Sequence, residues 1–454
     1  VAEDPERNSF GGRIARVASV GANMGAAAAS FAFNAVTGPD DADARIAAAL
    51  KAALGRTKGP LMKIAQMMAT IPDLLPPEYA TAMAELQANA PSMGWPFVKR
   101  RMRAELGEGW EDKFANFERE AAAAASLGQV HRCRSLEGVK LAAKLQYPDM
   151  ASAVEADLGQ LNMLMGFIRS IETSIDGSEV VREIGERLRE ELDYERERKH
   201  MLLYRELLTL KPWVRVPQPV DALCTGRLLT MSWVDGRPLL DFVVAPQPVR
   251  NRIAEMLFDA WWVPMTQTGV IHGDPHLGNY SVVGSPETDA EALNLLDFGC
   301  VRIFPPKFVS GVVALYRSLD ANDFDASAEA YRTWGFVNLS KELIEVLNLW
   351  ARFIYGPLLD DRVRTIADGI KPGEYGRKEA FRVRQLLKER GPVRIPAEFV
   401  FMDRAAIGLG AAFLHLGAEL NFYRLFQDSI AGFDVDVLAK RQQAALTKVG
   451  LLAA

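Results

Sequence analysis

The sequence predicts an α+β chain in three parts: a helical N-terminal extension over 1–110, a strand-bearing part over 111–235 and a mainly helical part over 236–454. Three observations lead there. VHRCR and VKLAAKLQ flank a Leu-Glu-Gly turn and read as consecutive strands. Tyr280–Val283 and Leu293–Leu296 read as a second strand pair, joined by the polar connection GSPETDAEA. Elsewhere apolar residues recur at helical spacing, as in Val154, Leu158, Leu161, Met165 and Ile168. With 454 residues and 49% hydrophobic content, the chain has material for two or three cores. Its formal net charge of -5 argues against a broad nucleic-acid surface. Cys133, Cys224 and Cys300 are far apart, so neither a zinc site nor a disulfide framework is indicated.

The N-terminal part opens on VAEDPERNSF, which is charged rather than apolar, and the expected location is cytoplasmic, or peripheral at a membrane surface. Residues 17–39 carry no charge but are mostly Ala, Gly, Ser and Asn, too weakly apolar for a spanning helix. Ile14, Val17, Gly21, Met24, Ala28, Phe31 and Ala35 form a narrow helical stripe, and Gly21 with Gly25 permits close helix approach. Such a stripe packs on protein, meets a membrane surface next to Arg7, Arg13 and Arg16, or dimerises. A helix follows from Asp40-Asp41 to about Leu54, and after Gly59-Pro60 another places Lys63 and Gln66 on one face. Alone, that pair reads as solvated. Helices then continue to about Leu106, with Gly107 as a stop.

In the middle part, Ala121–Gln129 (AAAAASLGQ) reads as a small-residue loop before a strand, a place where backbone N–H groups approach phosphates. Alanine resists positive φ, so such a cradle is stiffer than a glycine loop. Ala142 and Lys144 face the same side of the following strand. Residues 151–209 are helical and acidic, Ser178 being placed to cap a second piece. In REELDYERERKH, a continuous helix puts Asp193 and Glu197 on one face and Glu191 nearly opposite Asp193. LLTMSWVDGRPL reads as a strand leaving into a Gly-containing linker.

The last part carries the chemistry. IHGDPHLGN (271–279) supplies an acidic side chain, Asp274, and an amide, Asn279; LDFG (296–299) adds Asp297. Phosphoryl transfer of the kinase type needs these groups: one Asp orients or deprotonates the acceptor hydroxyl, while an Asn and a second Asp hold magnesium. A hairpin over 280–296 brings Asn279 and Asp297 side by side. His272 and His276 also fit a run of metal ligands or two core histidines. The apolar run AAIGLGAAFLHLGAELNF is interrupted by His415 and Glu419, which argues against a membrane span.

Taken in order, these residues resemble the UbiB/AarF-like atypical kinase family, over about residues 40–430. Lys63-Ile64-Ala65-Gln66 is similar to its KxGQ motif, Ala121–Gln129 to its alanine-rich loop, and Glu191 with Asp193 to its ExD motif. The resemblance implies a bilobal protein-kinase-like fold that binds ATP and Mg2+. Asp274 would be catalytic, with Lys144 on the phosphates and Glu197 as its helix carboxylate. Ala122, Ala123, Ala124, Ala125, Ser126 and Gln129 would line the nucleotide, and Asn279 and Asp297 would ligate metal. It further implies that Lys63 and Gln66, meeting Glu191 and Asp193, cover the acceptor side, and that the nucleotide chemistry serves ubiquinone or another isoprenoid lipid. Two residues depart from the pattern: Ala65 stands for the motif glycine and Ser232 for the usual hinge glutamate. The family's C-terminal membrane helices are not evident, so a membrane role rests on surface contact. The alternatives are a small-molecule kinase of the aminoglycoside- or choline-phosphotransferase type, which KIAQ and the alanine run disfavour, and a nucleotide-sensing module without turnover.

Overall fold

A computed structural model describes residues 93–125, 127–171, 177–367 and 397–452, with 379, 382–383 and 385–387 between them. The stripe over 14–35, the Lys63–Gln66 helix and Ser126 lie outside the described residues. The chain divides into two compact units, one comprising residues up to 196 together with 219–233, the other 197–218 together with 234–454.

The first unit is built on an antiparallel sheet in the order β1-β2-β3-β5, from β1 (Asn116–Ala125), β2 (Gly128–Arg134), β3 (Lys140–Gln146) and β5 (Leu228–Ser232). Helix α1 (Trp95–Leu106) precedes it and stops where Gly107 takes φ 86° and donates to the carbonyl of Arg103. Val98 and Met102 on α1 join Trp110, Phe114, Leu141, Ala143 and Leu145 in one core. The buried Arg101 donates to the carbonyls of Gln146 and Tyr147, fastening α1 to the end of β3. In the β2–β3 turn Gly138 adopts φ 84° and donates to Ser135.

Two expectations change here. The alanine run is strand rather than loop. Ala123, Ala124 and Ala125 pair with Val130, Gln129 and Gly128, so the strand runs to Ala125. Alanines show no polar–apolar alternation, so the strand emerges only through its partner β2. The acidic helix is also broken. After α2 (Met150–Ile171), α3 (Gly177–Glu191) ends one residue before Leu192, and α4 (Tyr194–Leu207) starts anew. Asp193 is its cap, its carboxylate accepting the Arg196 N–H at 2.9 Å. Aspartate is better placed at a helix start than inside a helix, where its side chain competes for the backbone. Asp193 and Glu197 therefore do not share a face of one helix, and Ser178 lies within α3 rather than at its cap.

In the second unit, α5 (Gln247–Thr268) is the long buried helix. It closes at Gly269 (φ 70°), whose N–H returns to Met265, and the chain enters β7 (Val270–Ile271). A sheet in the order β4-β9-β8-β6 combines β4 (Val214–Arg215), β6 (Arg237–Pro238), β8 (Tyr280–Ser285) and β9 (Asp289–Leu295). The β8–β9 hairpin is the expected one but longer. The alternately exposed and buried Asp289, Ala290 and Glu291 extend it, leaving residues 286–288 as the turn. β10 (Arg302–Ile303) pairs with β7. Helices α6 (Pro306–Asp320), α7 (Phe324–Thr333), α8 (Lys341–Tyr355), α9 (Ala397–Leu416), α10 (Phe422–Ile430) and α11 (Val435–Lys448) complete the unit. Among the described residues no helix is long and apolar enough to cross a membrane.

Candidate active site

The loop after β7 is held by its own polar groups. The Asp274 carboxylate accepts the N–H of His276 at 3.1 Å, and the His276 ring accepts the N–H of Gly278 at 3.1 Å. The Asn279 amide donates to the Asp274 carbonyl at 3.3 Å. With its nitrogen committed there, Asn279 presents Oδ1 as the remaining acceptor. The hairpin closes on this loop: the Leu296 N–H donates to the Asn279 carbonyl at 3.0 Å, one residue before Asp297. The Asp297 carboxylate accepts the N–H of Gly299 at 2.8 Å. A carboxylate and an amide oxygen are hard donors that suit Mg2+, and a two-residue protein set leaves positions for phosphate oxygens and water.

The two histidines have separate structural jobs. His272 is 1% exposed. Its Nδ1 lies 3.1 Å from the Asp274 carbonyl, which can only accept, so the proton sits on Nδ1. Around the ring stand Tyr204, Trp261, Tyr280 and Phe298, with centroids 5.7–6.2 Å away. Burial pushes the Tyr204 and Tyr280 phenols well up, so both stay neutral. Motif spacing does not reveal this aromatic box, because Tyr204 and Trp261 come from distant helices. The Glu197 carboxylate, 2% exposed, accepts the Phe298 N–H at 3.5 Å, and the His200 Nδ1 meets the Phe298 carbonyl at 3.1 Å. Gly273, at φ 70°, allows the Cys300 carbonyl to lie where a Cβ would be only 2.1 Å from it.

In the first unit, Lys144 sits on the central strand β3, 8% exposed, with Nζ 5.2 Å from the Tyr194 ring centroid. Ala122, Ala123 and Ala124 are exposed on the hairpin and Ala125 is half-buried. Gly128 is obligatory: a Cβ there would fall 2.1 Å from the Leu145 carbonyl.

Gln129 is 1% exposed, its side chain held inside the first unit. Its Oε1 accepts the Met93 N–H at 2.6 Å, while its Nε2 reaches the Met93 carbonyl at 3.3 Å and the His131 Nε2 at 2.7 Å. The His131 Nδ1 donates to the Glu118 carbonyl, and burial lowers the ring's pKa, so the neutral tautomer receives the Gln129 donor. The two-residue repeat of β2 turns this amide inward to bind the incoming chain. Glu191, half-buried, and Asp193, exposed, lie either side of the α3–α4 break.

The fold and this loop together define a protein-kinase-like chain. The chain belongs to the ABC1 atypical kinase-like domain family, whose model matches residues 85–331. That match is narrower than the 40–430 expected and leaves Lys63–Gln66 outside it. Among curated relatives, the chain is 31% identical over 288 residues to the mitochondrial atypical kinase coq-8 of Caenorhabditis elegans, covering 63% of this chain and 38% of the relative. Against the mitochondrial atypical kinase COQ8B of Rattus norvegicus it is 29% identical over 271 residues, covering 59% of this chain and 50% of that one. The chain thus spans half or less of the length of these two relatives. In fold it is similar to Rv3197 of Mycobacterium tuberculosis, solved in complex with erythromycin. That TM-score is 0.58 at 24% identity, covering 84% of this chain and 94% of the other.

Proposed function

We propose that this chain is a magnesium-dependent, ATP-binding atypical kinase or ATPase of the UbiB type, serving ubiquinone or other isoprenoid-lipid metabolism. The observation that supports the reading is the 3.0 Å hydrogen bond from the Leu296 N–H to the Asn279 carbonyl, which joins the end of the Asp274 loop to the residue before Asp297. Asp274 orients the attacking water or hydroxyl and takes its proton as the bond to the γ-phosphorus forms. The bond from that phosphorus to the β,γ-bridging oxygen breaks, and its electron pair leaves on ADP. Asn279 and Asp297 hold magnesium, which when bound neutralises the triphosphate charge. Lys144 binds the phosphates, Glu197 is its helix carboxylate, and the Ala122–Ala125 strand with Ser126 lets backbone approach the nucleotide.

Lys63 and Gln66, with Glu191 and Asp193, cover the acceptor side in this reading, so peptides do not reach the γ-phosphate. The relatives' names motivate the quinone connection, and a lipid or quinone precursor is the proposed partner. Peripheral membrane contact or dimerisation through the N-terminal stripe is part of the same proposal. Phosphate release from MgATP, with and without lipid vesicles and phenolic quinone precursors, tests it. Slow release without transfer to a generic protein is expected; robust protein phosphorylation contradicts the covered site.

A further inference from the structure

We infer that Gly408, in the apolar helix α9, is a positioning residue for Asp274, acting through Pro275. The inference rests on the proposed role of the 271–279 loop and deepens it. A Cβ on Gly408 would lie 2.2 Å from Pro275 Cγ, 3.3 Å from its Cβ and 3.4 Å from its Cδ. Ordinary contact begins near 3.4 Å, so even alanine overlaps by more than an ångström. The obstacle is a proline ring, which puckers but cannot swing aside as a long side chain does.

Pro275 directly follows Asp274, whose carbonyl holds Asn279 and His272. Displacement of the ring therefore moves the peptide that fixes the catalytic carboxylate and a proposed metal ligand together. The same stripe of α9 makes a second contact near the site. Phe401, seven residues before Gly408, lies under the Arg302 guanidinium at 5.5 Å, just past the DFG segment. Residues seven apart share a helix face.

The opposite face of α9 is tied down. The Trp350 indole donates to Asp403 at 2.6 Å, and the Phe399 ring packs 5.1 Å from Trp334 and 5.4 Å from Phe336. Near the other end, Phe413 meets Phe422 at 5.2 Å. A cavity of about 60 Å³ is lined by Met402, Asp403, Ala406 and Leu409 on this face, among others. It gives the helix some room to yield. With those ties intact, the overlap falls on the loop rather than on the helix.

The test compares Gly408→Ala, Pro275→Ala and their combination with the parent. It reads MgATP hydrolysis, nucleotide Kd, Tm and hydrogen exchange across residues 270–280. Gly159→Ala is the control, since a Cβ on this helical glycine meets nothing within 4 Å. Alanine is the better helix former, so the gain in α9 offsets part of the cost of the overlap. The expected result for Gly408→Ala is a fall in kcat of at least about tenfold with Kd within about twofold. Its exchange pattern over 270–280 changes, and removal of the proline ring in the double variant restores part of both.

A Gly408→Ala protein with kcat within about twofold of the parent overturns the inference, because the helix has then yielded. So does a rate loss that tracks a fall in Tm and is not relieved by Pro275→Ala. Should the parent hydrolyse no ATP, the proposed function fails separately and exchange decides this contact. A change that depends on Pro275 upholds the contact; unchanged exchange removes it.

Discussion

The hairpin β1–β2 and the loop after β7 are built by opposite means. The hairpin offers almost no side chain: exposed alanines on a strand whose shape is set from behind by Gly128, Gln129 and His131. The loop is almost all side chain, with Asp274, His276 and Asn279 hydrogen-bonded to its own backbone. Damage to the loop should therefore appear as lost chemistry, and damage to the hairpin as lost stability or altered nucleotide preference.

The sharpest break is expected at Asp274. Asp274→Asn keeps the bulk and one acceptor oxygen for His276 but removes the proposed base. Turnover should fall about 100-fold or more while nucleotide affinity persists, measured by phosphate release and by titration with labelled nucleotide. Near-normal turnover would mean that the loop's role lies elsewhere. On the hairpin side, Gln129→Leu removes the amide that serves Met93 and His131. It should cost about 2–3 kcal/mol through groups left buried and unpaired, read as a lower denaturant midpoint. A variant of parental stability would show that the amide does not support the strand. The smallest effect is expected of Ala124→Gly. Loosening one strand residue costs about 1 kcal/mol or less. The ATP-to-ADP preference should shift by more than about twofold as φ values that alanine resists open up. An unchanged preference would take the strand's stiffness out of nucleotide choice.

The same contrast explains what was legible in the sequence. Asp274, Asn279 and Asp297 are linked by short spacings and one hairpin, so local rules place them. The alanine strand carries no periodic contrast, and only pairing with β2 reveals it. Propensity alone favours running the charged segment through as helix and hides the break before Asp193. Its cap appears once the backbone is seen to turn. The small neighbours of Gln129 suggest a cradle, yet the strand's alternation sends its side chain inward. The box around His272 and the Gly408–Pro275 contact join residues far apart in the chain, which no local pattern encodes.

Asn279 and Asp297 are proposed as one magnesium-binding pair, and Asp297→Asn separates that pairing from every other role of the loop. Melting the parent and the variant with ATP, with and without magnesium, separates binding of metal from every later step. At ligand about 100-fold above Kd, the parent should gain about 2.7 kcal/mol, a rise of several degrees in Tm. The variant should lose the magnesium-dependent part of that rise. A full magnesium-dependent shift in Asp297→Asn would contradict the assignment.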